Sequence, residues 1–256
     1  MRNTLVLSCV VATLLATAVS PSAQTAARPV LEDAIVNESS PGPAPQVSTA
    51  ELRALIAGGT AVLIDARPPE EFGISHIPGA VNVSPKPGQP ISEYISDVEE
   101  VKRLVPDRLQ LLILYCNGPF CGKSKRLSEE LSAAGYLNVR RYQLGMPGWR
   151  TTGGVAVIEF DQLMTVKHFD GSAVFVDAGL SRPRPRRSVR ILAGEVTAAK
   201  DDGRLPMHDH NTRIVVIART AAQARVVAEQ ITANAFHNVA YYDGPGDRLK
   251  KFSRLR

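Results

Sequence analysis

Residues 111–124 read Leu-Leu-Ile-Leu-Tyr-Cys-Asn-Gly-Pro-Phe-Cys-Gly-Lys-Ser. The unbroken apolar run that ends at Tyr115 is typical of a strand buried on both faces of a parallel sheet. After the loop, apolar residues recur at helical spacing from Ser124 to Ala134, and the glycine that follows ends the helix. A strand, a loop and a helix in this order predict a parallel α/β unit, in which ligands bind at the carboxyl ends of strands. Cys116 occupies that position.

A second strand of the same kind, Ala61–Asp65, lies upstream and follows a short predicted helix. Ser48 or Thr49 caps that helix and a pair of glycines stops it, so the folded region is expected to begin near Val47. With 256 residues, 44% of them hydrophobic and 21% charged, the chain has the composition of a globular protein long enough for two domains. The sequence therefore predicts an α/β fold of parallel sheets with helices on both faces.

The N-terminus has the pattern of a secretory signal peptide, in which Arg2 is followed by an apolar run and then by small residues. The run is shorter than the roughly 20 apolar residues of a spanning helix, so we expect no permanent membrane span. We predict a signal peptide at residues 1–27, a flexible linker at residues 28–46, and a secreted or periplasmic protein. Cys9 belongs to the signal and is expected to be removed with it.

The chain also repeats itself weakly when it is shifted by about a hundred residues along its own length. Residues 51–66 match residues 161–178, and Cys116 has Ala218 as its counterpart. Because alanine is not a nucleophile, the second copy lacks the reactive group. Matches beyond the loop change the offset by two residues, which predicts an active loop two residues longer than its counterpart. The predicted tandem consists of an active domain at residues 47–153 and a degenerate, inactive domain at residues 156–256.

Two cysteines, Cys116 and Cys121, are left in the mature chain, and both lie in one loop. A disulfide stabilises more when it closes a longer loop, so a bond across this short segment would contribute little. Reactivity therefore explains the pair better than structural cross-linking does. A thiolate is favoured at a helix N-terminus and beside basic groups such as Lys123. Gly118 and Gly122 permit backbone dihedrals that turn successive N–H groups toward one anion.

Two further motifs accompany the cysteine loop. Residues 63–72 read Leu-Ile-Asp-Ala-Arg-Pro-Pro-Glu-Glu-Phe, and residues 76–83 read His-Ile-Pro-Gly-Ala-Val-Asn-Val. Together with the loop and with Gly-Met-Pro-Gly-Trp at residues 145–149, they resemble the rhodanese family over about residues 47–155. The loop differs from the commonest pattern of that family, because Cys121 stands where an arginine is usual.

The resemblance implies a thiosulfate sulfurtransferase-like enzyme. Cys116 would accept a sulfane sulfur from a small anionic donor such as thiosulfate, become a persulfide, and pass the outer sulfur to a thiol or a cyanide-like acceptor. We expect no cofactor and no metal. Asp65 and Arg67 are expected to support the loop by charge pairing, His76 to be structural, and Trp149 to lie in the core. The predicted active-site loop and anion-binding residues are Asn117, Gly118, Pro119, Phe120, Cys121, Gly122, Lys123 and Ser124.

Other functions also fit parts of this pattern. Two thiols on one loop in an oxidising compartment could form a disulfide, making the protein an exported dithiol/disulfide redox protein or sulfur carrier that uses Cys116 and Cys121. Cys121 could equally be a small buried apolar residue. Phosphatases of this fold need an arginine where Gly122 stands, which disfavours phosphatase activity. The second domain could be a non-catalytic binding module.

Two features of the second half suggest nucleic-acid binding and metal binding, but the surrounding sequence supports neither. The basic cluster at residues 182–190 contains no aromatic residue, so we expect no nucleic-acid partner even though the formal net charge is +5. His208 and His210 have no further ligand at suitable spacing nearby, so we expect a solvated turn there rather than a metal site.

Overall fold

The computed structural model describes residues 44–85, 96–180 and 188–254. The predicted signal peptide and most of the predicted linker lie outside these ranges. The first half forms α1 (Thr49–Gly58), β1 (Val62–Asp65), α2 (Pro69–Ile74), β2 (Val81–Asn82), α3 (Asp97–Leu104), β3 (Leu112–Tyr115), α4 (Gly122–Ala133), β4 (Val139–Tyr142) and α5 (Gly145–Thr151). The second half forms β5 (Ala156–Ile158), α6 (Phe160–Phe169), β6 (Val174–Asp177), β7 (Ser188–Arg190), α7 (Val196–Asp201), β8 (Ile214–Ile217), α8 (Ala221–Thr232), β9 (Val239–Tyr242) and α9 (Leu249–Arg254).

The elements predicted from the sequence are present, with small shifts at their ends. β1 and β3 each begin one residue later than predicted, and α4 begins at Gly122 rather than at Ser124. Ser48 caps α1, because its Oγ accepts a hydrogen bond of 3.1 Å from the Glu51 N–H. Gly59 ends α1 with a φ of 60°, a left-handed conformation that glycine adopts without a steric penalty.

The first sheet has the order β2-β1-β3-β4, and its strands are parallel. Asp65 at the end of β1 pairs in register with Tyr115 at the end of β3, so both strands end at the same edge. Gln46 forms a parallel bridge to Arg141 of β4, and the Arg141 N–H donates to the Pro45 carbonyl at 2.9 Å. These contacts place the end of the predicted linker within the fold. The linker boundary at residue 46 was therefore wrong, because main-chain pairing outweighs the poor strand propensity of a proline-rich stretch.

The second sheet has the order β5-β9-β8-β6-β7, again with parallel strands. Strands β9, β8, β6 and β7 lie in the same relative order as β4, β3, β1 and β2, and β5 lies beside β9 as Gln46 lies beside β4. Six residues (116–121) separate β3 from α4, whereas three (218–220) separate β8 from α8. The first loop is therefore three residues longer than the second, not two as predicted. The prediction gave two because it compared positions beyond the helices. There the second half has one residue more between its helix and the next strand, which cancels part of the difference.

Strand side chains alternate between two cores, as expected for a sheet covered on both faces. Ile113 of β3 belongs to a cluster that also contains Val215 of β8, so the two sheets share a central core. Leu112, the preceding residue, belongs to a separate cluster with Leu127 of α4. The outer face of the second sheet has a cluster of its own. The fold is thus α/β, with parallel sheets and packed helices, in agreement with the prediction.

The two halves are also joined by main-chain hydrogen bonds. His76 and Val157 form an antiparallel bridge, with N···O distances of 3.0 and 2.8 Å. The Glu159 N–H donates to the Gly73 carbonyl at 2.7 Å. The region after α2 is therefore fixed against β5 and the start of α6. In the ranges that the structure describes, no helix is both long enough and apolar enough to cross a membrane.

Candidate active site

The loop Cys116–Cys121 connects β3 to α4 at the carboxyl edge of the first sheet. Cys116 is only 2% exposed and is disulfide-bonded to Cys121, with the two Cα atoms 6.2 Å apart. The sequence left such a disulfide open as one alternative, and the structure contains it. Cys121 is half-buried and bonded to Cys116, so it is not the small buried apolar residue of the other alternative. The thiolate of Cys116 becomes free to act as a nucleophile only when the disulfide is reduced.

Two glycines shape the loop and its support. Gly118 has a φ of 103°, and its carbonyl accepts a hydrogen bond of 3.1 Å from the Cys121 N–H. Gly145, with a φ of 58°, lies so close to the loop that a Cβ atom there would stand 2.1 Å from the Cys116 carbonyl oxygen. The Met146 N–H donates to that same oxygen at 3.0 Å. The start of α5 therefore fixes the backbone of the nucleophile candidate.

α4 begins directly after the disulfide. Its N-cap residue, Cys121, provides no side-chain cap, and Lys123 is exposed in the first turn. Gly122 has no positive φ because it is already helical, so the special dihedral predicted for it was wrong. First-turn N–H groups without a side-chain cap, together with the helix dipole, favour an anion at this end. In the second half, by contrast, Thr220 caps α8 by accepting a hydrogen bond of 3.3 Å from the Gln223 N–H.

The other predicted loop residues lie in different environments. Asn117 is exposed, and its Nδ2 donates to Glu71 Oε2 at 2.5 Å, which ties the loop to α2. Phe120 is fully exposed, Pro119 is half-buried, and Ser124 is buried in the first turn of α4. An aromatic ring in the solvent and a tethered amide therefore flank the disulfide.

Asp65 and Arg67 form a buried ion pair after β1. Arg67 Nη2 lies 2.5 Å from Asp65 Oδ2, and Arg67 Nε lies 2.9 Å from Asp65 Oδ1. Burial acts to lower the pKa of Arg67, but the hydrogen bonds and charge of Asp65 leave that pKa raised above its ordinary value. Arg67 also donates to the Ser75 carbonyl at 2.6 Å. The predicted ion pair is present. Within the described residues, however, the side chains of this pair form hydrogen bonds with each other and with Ser75, and none with the cysteine loop.

A cavity of about 220 Å³ lies beside the loop. Its wall contains Asn117 from the loop, Glu71 from α2, and three arginines, Arg67, Arg150 and Arg213. Sequence reasoning identified Arg67 but missed the other two. Arg150 follows the Gly-Met-Pro-Gly-Trp motif, and Arg213 belongs to the second half. No sequence pattern brings them together, because their proximity results from the packing of one half against the other.

His76 and Trp149 are part of the scaffold. The His76 Nδ1–H donates to the Phe72 carbonyl at 2.9 Å, and the two rings stack with centroids 3.9 Å apart. Burial lowers the pKa of His76 below its ordinary value. Trp149 is 5% exposed, and its Nε1–H donates to the Val155 carbonyl at 2.8 Å. The interactions of both side chains agree with the predicted structural roles.

Comparison with known proteins assigns the half that carries the cysteine loop. A sequence model described as the Rhodanese-like domain matches residues 48–152. Thiosulfate:glutathione sulfurtransferase from Saccharomyces cerevisiae is 34% identical over 97 residues, which cover 36% of this chain and 67% of the yeast protein. The chain belongs to the rhodanese family. Its rhodanese-like domain contains the first sheet, the disulfide and α5, so the motifs that suggested the family lie within the matched region.

Other proteins resemble this rhodanese-family chain at lower sequence identity. HTH-type transcriptional regulator Rv0324 from Mycobacterium tuberculosis is 33% identical over 111 residues, which cover 43% of this chain and 44% of the regulator. The chain thus spans less than half the length of that relative. Thiosulfate sulfurtransferase from Pseudomonas aeruginosa matches at 18% identity and a TM-score of 0.35, over 80% of this chain and 42% of that one. SseA from Escherichia coli, a 3-mercaptopyruvate sulfotransferase, matches at 18% identity and a TM-score of 0.34, over 75% and 95%.

Proposed function

We propose that the protein is a sulfurtransferase whose nucleophile is Cys116. The Cys116 thiolate attacks the sulfane sulfur of a donor such as thiosulfate, forms an S–S bond with it, and releases sulfite. A thiol or cyanide-like acceptor then attacks the outer sulfur, and the electron pair of the broken S–S bond returns to Cys116. The observation that supports this function is the position of Cys116, which ends β3 and precedes the N-terminus of α4 within the rhodanese-like domain.

The Cys116–Cys121 disulfide has to be reduced before the first step. A dithiol reductant supplies two electrons and two protons, and the disulfide becomes two thiols. The helix dipole of α4 and the charge of Lys123 then favour the thiolate form of Cys116. The first-turn N–H groups of α4, which no side chain caps, then stabilise the persulfide anion on Cys116.

Turnover with thiosulfate and cyanide tests this function. We expect the reduced wild type to release sulfite continuously and Cys116→Ala to release none above the uncatalysed rate, because alanine carries no nucleophile. Untreated wild type should release no sulfite until a reductant is added, because the disulfide blocks the first step. Equal sulfite release by the Cys116→Ala protein would contradict the assignment.

The disulfide itself favours a second candidate function, an exported dithiol redox protein or sulfur carrier. In that reaction the Cys121 thiolate attacks the Cys116 sulfur of the persulfide, the disulfide forms again, and hydrosulfide leaves. Cys121→Ser separates the two functions. For the sulfurtransferase we expect turnover with cyanide to be preserved and the reductant to be no longer needed. Loss of turnover together with accumulation of a stable persulfide would favour the resolving role of Cys121 instead.

We also propose that residues 156–256 are a degenerate rhodanese-like copy of the active domain at residues 47–153. The repeated strand order supports this proposal, as does Ala218, which follows β8 where Cys116 follows β3. Its shorter loop and the side-chain cap on α8 leave less room for an anion at that helix end. On this basis the second copy forms no persulfide.

Export is a further proposal and concerns residues that the structure does not describe. Arg2, the apolar run and the small residues that follow support a cleaved signal at residues 1–27, leading to a linker and a secreted or periplasmic protein. N-terminal sequencing of the protein recovered from the extracytoplasmic fraction is expected to show a chain that has lost this segment. An intact N-terminus on protein confined to the cytoplasm would contradict export.

A further inference from the structure

The cavity beside the cysteine loop carries guanidinium groups from three separate parts of the chain. Arg67 follows β1, Arg150 lies on α5, and Arg213 directly precedes β8, so both halves contribute to one wall. One carboxylate, Glu71, lies in the same wall and accepts the hydrogen bond of Asn117. The wall therefore has an excess of positive charge.

Two of these arginines have carboxylate partners. Asp65 pairs with Arg67, and Asp170 Oδ2 lies 3.0 Å from Arg213 Nε. Arg150 differs, because its Nε atom is buried and, within the described ranges, has no hydrogen-bond partner. Burial, and then the charges of Arg67 and Arg213, lower the pKa of Arg150 to about 10. At neutral pH, Arg150 is thus a half-buried cation with a buried Nε atom, and within the described ranges no carboxylate forms an ion pair with it.

A cation in this position favours a bound anion. Burying an uncompensated charge is unfavourable, because the protein does not replace the water that solvates the charge in the unfolded chain. An oxyanion offsets that loss, and a guanidinium group binds the two oxygens of a carboxylate through parallel N–H donors. A cavity of about 220 Å³ accommodates a small organic anion. Since Asn117 directly follows Cys116 and forms part of the wall, such an anion would lie beside the cysteine loop.

We propose that this cavity binds the carboxylate of a small thiol acceptor, with Arg150 as the main ligand and Arg213 as the contribution of the second half. The proposal rests on the sulfurtransferase function and names the chemical class of its acceptor. The second half, which has Ala218 where the first has Cys116, then acts in substrate specificity rather than in sulfur chemistry. A sulfonate-like group on the donor offers the same oxyanion chemistry, so the test has to distinguish acceptor from donor.

Two thiol acceptors of similar size test the proposal, mercaptoacetate with a carboxylate and 2-mercaptoethanol with a hydroxyl. The measured quantity is the ratio of their kcat/KM values at saturating thiosulfate, compared between wild type and variants, so that the intrinsic reactivities of the thiols cancel. Arg150→Gln should lower this ratio about ten- to a hundred-fold, as expected for the loss of hydrogen bonds to a charged group. Arg150→Lys should restore part of it, because the positive charge is kept.

Two other variants complete the comparison. Arg213→Gln should lower the ratio less than Arg150→Gln does, because Asp170 already engages the Arg213 side chain. Arg225→Gln is the matched control: Arg225 is exposed on α8, pairs with Glu229, and lies outside the cavity wall, so its ratio should equal that of the wild type. An unchanged ratio in Arg150→Gln would overturn the proposal. Equal losses with both thiols, together with a raised KM for thiosulfate, would assign the cavity to the donor and would also overturn it.

A binding measurement without turnover distinguishes this proposal from failure of the sulfurtransferase function. Acetate titrated against chloride at constant ionic strength should raise the Tm of the wild type and of Arg225→Gln, but not that of Arg150→Gln. Without acetate, Arg150→Gln should unfold at a temperature no lower than the wild type, because the variant lacks this partly buried, unpaired charge. A wild type that turns over but shows no acetate-dependent shift would overturn the anion site alone. A wild type that shows the shift but no turnover would overturn the sulfurtransferase function and the acceptor role with it.

Discussion

The cysteine loop depends on residues that carry no reactive group. Gly145 approaches the Cys116 carbonyl so closely that any side chain would collide with the loop, and its φ of 58° also disfavours other residues. The Met146 N–H holds the same carbonyl. The orientation of the nucleophile is therefore set by the backbone of α5, which follows it by almost thirty residues in the sequence, at Gly145.

Gly145→Ala tests this contact. We expect a decrease in the free energy of unfolding of about 1–3 kcal/mol, since the variant adds strain in the left-handed region and a clash with the loop. Chemical denaturation measures the decrease, and thiosulfate turnover should fall with it. Gly171→Ala is the control, because a Cβ atom at Gly171 meets nothing within 4 Å and its φ is not in the left-handed region. Equal stability of the two variants would contradict the proposed support of the loop.

Single residues were predictable from the sequence where their neighbours along the chain determine their role. Cys116 follows an apolar run and precedes a helix, and Arg67 follows Asp65 at a spacing that permits a pair. Arg150 and Arg213 were not predictable, because their shared cavity exists only after both halves have packed together. The disulfide was one of several alternatives for Cys121, since spacing shows that two thiols can meet but not that they are bonded.

At the scale of elements, strands and helices with regular apolar patterns were predicted well, and irregular pairing was not. Strand β3 is hydrophobic throughout and β1 is apolar up to Asp65 at its end, so their burial on both faces followed from composition. Gln46 pairs with Arg141 through the backbone, and a proline-rich sequence gives no sign of such a contact. The junction between α2 and β5 is of the same kind, because it joins His76 to Val157 by main-chain hydrogen bonds.

This junction is expected to weaken in acid. Burial lowers the pKa of His76 below its ordinary value of 6.5, so the folded protein binds fewer protons than the unfolded chain as the pH falls below that value. The free energy of unfolding should therefore decrease as the pH falls through about 6.5, as urea denaturation would measure. His76→Gln should reduce this decrease, whereas the exposed control His208→Gln should leave it as in the wild type. Identical pH dependence in wild type and His76→Gln would exclude His76 as its source.

At the scale of the whole molecule, two parallel sheets share a central core, and four strands of the second sheet repeat the order of the first. The disulfide lies at the carboxyl edge of the first sheet. The family match covers only residues 48–152, so the proposed role of the second half rests on its topology and on the arginine it contributes to the cavity. If the second copy forms no persulfide, all covalent sulfur transfer passes through Cys116. Substitution of this one cysteine should therefore abolish sulfur transfer by the whole protein.

Intact-mass analysis of the reduced protein after treatment with thiosulfate tests this claim most directly. We expect the wild type and Cys121→Ser each to gain the mass of one sulfur atom, cyanide to remove it, and Cys116→Ala to gain none. The same gain in Cys116→Ala, or no gain in the wild type, would contradict it.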